Sequence, residues 1–347
     1  MPRRPPLALV LLGAVFLAGC AGQQPAAAPV TPSAPIGSAQ SSVSPSSSAS
    51  AIPDPAAVGA NELGVVPVLM YHQLKPHPRD VYDITPAQFR AELNRLATEG
   101  YVPVTAAAYA TGRMDIPAGK HPVVLTFDDS TRSQLTLDSA DQPVAGTAVA
   151  ILQEVAVAHP GFTATATFYV NRDPFAEPGG RRSLGWLHDH GYEIGNHTID
   201  HVPLRNLPAA QVRNQLAADA AMITRAVPGV TVDTMALPLG MRPKDHRLMM
   251  AGEAGGTAYR NVAAFLVGAG PAPSPYSRLF DPTGVPRLRS QGRTGQDARF
   301  ASSLTLDRLA ATPSLRYTSD GDPATIAFPK AEQARLSPAR AAAARPY

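Results

Sequence analysis

The 347 residues include one cysteine and one tryptophan, and only 16% are charged. A single cysteine excludes an internal disulfide and any zinc site built from several thiolates, so a metal would have to be gripped by imidazoles and carboxylates. Charge is balanced as well as scarce, 30 Lys plus Arg against 27 Asp plus Glu. The concentrated basic face that holds a phosphate backbone is missing, which argues against nucleic acid as a partner. No repeat of 20 to 50 residues is visible, and no histidine follows His246. Hydrophobic residues are nevertheless 44% of the chain, enough for a core.

The ends differ from the middle. Arg3-Arg4 followed by the apolar run Leu7 to Phe16 has the layout of a secretory signal and is too short to span a bilayer. Leu17-Ala18-Gly19-Cys20 resembles the lipobox of bacterial lipoproteins, which implies a signal peptide over 1–19, a lipid on Cys20 and an extracytoplasmic protein anchored to the cell membrane. From Ala21 to Ala60 the only charge is Asp54 among Ala, Pro, Ser, Gly and Gln. That composition cannot offset its ordering entropy, so 20–60 is predicted to be a disordered linker. The folded domain is expected over 61–328, with 329–347 as a disordered tail and a monomer as the oligomeric state.

Between these ends, buried-strand and helix signals alternate. Val65 to Tyr71 reads as a first strand ending at His72. Thr85 caps a helix with Phe89, Leu93 and Leu96 on one stripe and Gly100 as its stop. Val123 to Phe127 and Thr163 to Val170 read as strands around a helix over 144–157. Ser183 to His190 then gives a helix, Tyr192 to Ile194 a strand, Pro208 to Val227 a helix and Thr234 to Leu237 a strand. Later, Phe265 to Gly268 and Val285 to Arg289 are predicted strands, and 315–317 with 325–328 a terminal hairpin. Trp186 reads as helix packing, and His188 and His190 as solvent-facing. Such alternation predicts an α/β fold with a mostly parallel sheet closed or nearly closed into a barrel, its ligands at the carboxyl ends of the strands.

That rule singles out His72, the Asp128-Asp129 pair, His197 with His201, and the turn at Pro238-Leu239-Gly240. Adjacent carboxylates after a buried strand raise each other's cost of ionisation unless a cation is near; taken alone, Asp-Asp is also an ordinary turn. His197 and His201 stand four residues apart, within reach of one metal ion if the chain makes a helical turn. With a carboxylate they form a two-histidine, one-carboxylate set, the pattern of hydrolytic zinc sites and of some non-haem iron sites.

Together, Val68-Leu69-Met70-Tyr71-His72, Thr126-Phe127-Asp128-Asp129 and the run Gly191 to His201 resemble the polysaccharide deacetylase family (carbohydrate esterase family 4), over roughly Val65 to Gly240. The resemblance implies a distorted (β/α) barrel and a hydrolase removing acetyl groups from N-acetylated polysaccharide. It implies Asp129, His197 and His201 as ligands of a divalent metal ion, most simply Zn2+, and Asp128 as general base. It also implies that the backbone N–H of Leu239 stabilises the oxyanion. The pattern departs from the family in four places. Ser130 stands where Gly usually follows the aspartates. Ala236 to Gly240 lacks the Arg that holds the base, for which Arg242 is the nearest replacement. The tryptophan motif is missing. The late histidine that protonates the leaving amine is missing too, leaving His72 as the leading substitute and His246 as a weaker one. Two alternatives follow, an acetyl-xylan type O-esterase and a glycan-binding lipoprotein that keeps the barrel with little catalysis.

Overall fold

The computed structural model describes residues 53–268, 270–295 and 298–347. The leader, Cys20 and most of the linker lie outside them. Strand β1 (Val68–Tyr71) leads to α1 (Pro86–Thr98), β2 (Tyr101–Val104), α2 (Ala106–Thr111) and β3 (His121–Phe127). Then come α3 (Ala148–Ala158), β4 (Thr167–Val170), α4 (Arg181–Asp189), β5 (Glu193–Asn196), α5 (Ala209–Ala226) and β6 (Thr234–Ala236). Next are α6 (Arg247–Met250), β7 (Ala251–Ala254), β8 (Thr257–Arg260), β9 (Ala263–Phe265), β10 (Leu288–Arg289), α7 (Ser302–Ala311), β11 (Ile326–Phe328) and β12 (Ala344–Pro346).

Eight strands form one sheet in the order β10-β1-β3-β4-β5-β6-β9, with β2 also on β3, and every pairing is parallel. All seven residues of β3 are buried, as a strand covered on both faces requires. The sheet curls because one segment touches both of its ends: Val285 bridges Phe265 of β9, and Leu288 and Arg289 pair with Leu69 and Met70 of β1. The result is the distorted barrel expected. Helix α1 forms for local reasons, a capping box between Thr85 and Gln88 and Pro86 in its first turn. Its Phe89, Leu93 and Leu96 are buried against the sheet, where Tyr71, Phe127 and Phe168 stack with ring centroids 5.1 and 4.8 Å apart.

Strand β2 and helix α2 escaped the sequence reading because Pro103 interrupts the first and five of the six residues of the second are small or β-branched. Pro103 is accommodated because β2 pairs with β3 alone, leaving a free edge. Three expectations are corrected. The hairpin of 315–317 with 325–328 does not form; Val65 bridges Arg316, and β11 pairs in parallel with β12. The tail is therefore folded: residues 329–347 run through two 3-10 turns into β12, and the Tyr347 hydroxyl donates to the Ala60 carbonyl at 2.7 Å. The linker ends earlier than expected, since Pro55 and Ala60 are buried and the Ala60 N–H donates to Pro55 O.

These terminal segments meet over Glu62, which is 3% exposed and accepts from the Tyr317 hydroxyl and the Ala327 N–H at 2.9 and 2.8 Å. Burial pushes its carboxyl up to about 8. Above pH 4.5 the unfolded chain loses this proton while the folded chain keeps it, so stability falls as pH rises towards 8 and then levels. The melting temperature of the parent chain should therefore drop by several degrees more between pH 5 and pH 8 than that of Glu62→Gln. Parallel melting curves would contradict the assignment.

Candidate active site

Parallel register sets the first contact. Tyr71 pairs with Phe127, so His72 and Asp128 leave their strands side by side, with the Asp128 N–H donating to the Tyr71 carbonyl at 2.9 Å. The fully buried Gln134 clamps both strand ends, its Nε2 donating to His72 O at 2.7 Å and Asp128 O at 2.5 Å. His72 Nε2 stands 3.9 Å from Asp128 Oδ2, and its ring lies 4.9 Å from that of Tyr82. Burial lowers the His72 pKa in spite of the opposing pull of Asp128 and Asp129.

Beyond Asp128 the backbone turns sharply, with Asp129 at φ 71° and Ser130 at φ 45°. This left-handed step lets neighbouring carboxylates share a site. It also shows what Ser130 costs, since glycine would adopt the same angle freely. Asp129 Oδ1 lies 3.3 Å from His197 Nε2 and 3.3 Å from His201 Nε2. The histidines do not sit on a helical turn, as their spacing suggested. Thr198 at φ 61° and His201 at φ 50° bend the chain back instead, and Gln215 of α5 pins the bend through Ile199 and Asp200. His197 Nδ1 donates to the Ala236 carbonyl at 2.9 Å, which leaves Nε2 as the lone-pair nitrogen facing Asp129.

Asp129, His197 and His201 offer three ligand atoms within 4.8 Å of one another. Two of them, Asp129 Oδ1 and His197 Nε2, are buried without a hydrogen-bond partner. Such orphans are rare in folded proteins, and a cation bound between them removes both at once. The donor set and its geometry therefore fit a divalent metal ion.

Asp128 meets a different partner. Arg287, fully buried, donates from Nη1 to Oδ1 at 2.7 Å and from Nη2 to Oδ2 at 2.6 Å. It also donates from Nη1 to Thr126 Oγ1 at 3.0 Å and from Nε to Leu266 O at 2.6 Å. Burial alone would raise the Asp128 carboxyl, but Arg287, with His197 and His72, holds it well below the usual carboxylate range. The Arg missing from the turn after β6 is thus replaced from the segment that closes the barrel. Arg242 does not fill that role: it turns away to Asp281 at 3.8 Å. Nor does His246 join the aspartates, since it lines a separate groove with Arg242 and Lys244. Leu239 occupies the turn after β6 at φ 55°, three residues beyond the carbonyl that orients His197.

A family model described as polysaccharide deacetylase matches residues 115–256, the stretch that carries Asp128, Asp129, His197, His201 and Leu239. Residues 115–256 thus carry a polysaccharide deacetylase domain. The solved structure of BA0330 from Bacillus anthracis, a protein assigned to the polysaccharide deacetylases, shares the fold at 19% identity. Its TM-score is 0.51, covering 69% of this chain and 68% of that one. The Streptococcus pyogenes deacetylase PplD, solved with acetate, is 18% identical with a TM-score of 0.49, covering 65% of this chain and 92% of that one. No curated protein sequence matches the chain.

Neither His72 nor Arg287 falls inside the stretch that the deacetylase model matches. His72 was legible as a polar residue ending a strand. Arg287 was not, although a permanent charge inside Val285-Pro286-Arg287-Leu288 was a signal: buried guanidinium requires a buried anion. Removing it strands Asp128. Arg287→Met should cost the folded chain about 3–5 kcal/mol in urea unfolding, most of it restored by adding Asp128→Leu. A single-variant loss below about 1 kcal/mol, typical of an exposed pair, would show the pair to be marginal.

Proposed function

We propose that this protein is a metal-dependent hydrolase that removes acetyl groups from N-acetylated cell-envelope polysaccharide. The observation that carries the reading is the Asp129–His197–His201 cluster with its two orphaned ligand atoms, set beside a second carboxylate that its own arginine already neutralises. A pure binder has no need of Asp128 in that position. The divalent ion, most simply Zn2+, would supply Lewis acidity, easing deprotonation of water and polarising the acetyl carbonyl.

The remaining work falls to this chain's own groups. Asp128, ionised and oriented by Arg287, accepts the proton of the attacking water. The backbone N–H of Leu239 supports the negative charge that develops on the acetyl oxygen. His72 Nε2, 3.9 Å from Asp128 Oδ2, would pass a proton to the leaving nitrogen after a small approach or through one water. Burial keeps the imidazole neutral until that proton arrives. Beside it lies a cleft of about 190 Å3, lined by Met70, Tyr82, Val267, Gly268, Arg289 and Phe300.

Arg287 also bears on the alternatives. The non-catalytic reading rested on the lost Arg together with the vacant acid position, and the ester reading on the missing late histidine; Arg287 and His72 supply candidates for both. The leader and Cys20 extend the proposal to a lipid-anchored, extracytoplasmic enzyme acting as a monomer.

Metal content and acetate release test it together, on acetylated chito-oligosaccharide and on an acetyl ester. His197→Ala should lose metal and activity at once. Asp128→Asn should retain metal while turnover falls about 10²-fold or more. Parent-level turnover in Asp128→Asn would remove the assigned base, and release from the ester with none from the chito-oligosaccharide would move the substrate to O-acetyl groups.

A further inference from the structure

Arg242, unused by Asp128, belongs to a second feature. It lines an open groove of about 690 Å3 with Arg205, Asn206, Lys244, His246, Gly240 and Leu266. The walls come from three loops that also build the candidate active site. Arg205 follows the bend that carries His201, Gly240 follows Leu239, and the carbonyl of Leu266 is the one that receives Arg287 Nε. The groove therefore runs along the carboxyl ends of β5, β6 and β9, next to the acetyl-processing turn.

Its charge is one-sided. Arg205, Arg242 and Lys244 carry three permanent positive charges, opposed by Asp281 alone at 3.8 Å from Arg242. The nearby Asp245 is bound bidentately by Arg247. Arg205 and Lys244 have no ion-pair partner among the described residues. Arg242 is also seated: a Cβ at Gly284 would come within 1.4 Å of its Nη2, so the missing side chain makes the space for the guanidinium. In a chain with so few charges, two unpaired cations beside a third that has only a long contact to Asp281 call for an anion. The open mouth, continuous with the active-site loops, suits a substituent carried on a longer molecule.

We propose that this groove is a subsite for an anionic substituent, carboxylate or phosphate, on the polysaccharide that the enzyme deacetylates; the choice of a glycan as carrier rests on the proposed function. The subsite would favour acidic over neutral N-acetylated polymers.

The test is calorimetric binding of the full chain to three N-acetylglucosamine oligomers of equal length, one unsubstituted, one bearing lactyl-ether carboxylates and one bearing phosphodiesters. At least one substituted oligomer should bind about ten-fold tighter than the neutral one. The advantage should shrink at high salt. It should fall below about two-fold in Arg242→Gln with Lys244→Gln, and also in Gly284→Ala, which removes no charge but displaces Arg242. Which anion holds the advantage identifies the substituent. Equal affinity of the parent chain for all three, or an advantage that survives both variants, overturns the proposal. Acetate release from the same oligomers separates the two readings: a binding preference without release sinks the deacetylase and leaves the anion subsite, whereas release at equal rates with equal binding does the reverse.

Discussion

The buried pair between Arg287 and Asp128 is the constraint on which the site depends. A carboxylate as buried as Asp128, 1% exposed, would be forced to protonate were no cation beside it, and once protonated it could take up no further proton. Arg287 satisfies it bidentately while bonding to Thr126 on β3 and Leu266 after β9, so one side chain ties the middle of the sheet to its edge. The same pairing isolates Asp129. With Arg287 committed, the ion-pair partners of Asp129 among the described residues are two imidazoles, His197 and His201.

The surrounding loops hold this arrangement under strain. Among the described residues, nine non-glycine residues have positive φ, and Asp129, Ser130, Thr198, His201 and Leu239, all at the site, are among them. Each costs on the order of 1–3 kcal/mol and persists only where neighbours over-determine it. Those neighbours are visible: Gln134 across the ends of β1 and β3, Gln215 under the histidine bend, and the Ser130 carbonyl accepting from Phe175 N–H. The ligand atoms are thus positioned by the fold before anything binds.

How much of this could be read from residues alone follows from where the information lies. Local chemistry was legible: the Thr85 cap, the Phe89-Leu93-Leu96 stripe and the β-branched, apolar-rich run Val123 to Phe127 of β3 each announce their element. So were Asp129, His197 and His201, because a strand end or a short spacing brings them together. The helical turn inferred between the histidines failed because spacing of four fixes a distance and not a backbone path; left-handed Thr198 and His201 reach it another way. Arg287 was out of reach for a different reason. Its partner lies 159 residues away, and no local pattern encodes that contact. The tail misled through composition: Ala and Arg alone do not reveal that β12 has β11 to pair with.

Arg287 lies far along the chain, and that has a consequence for synthesis. A nascent polypeptide that has emerged only as far as β9 already contains both aspartates and both histidines. Yet its Asp128 would face a sheet still open at one side, with no guanidinium to keep it ionised. If Asp128 is the base proposed above, its competence waits for the segment that closes the barrel, which comes late in the chain.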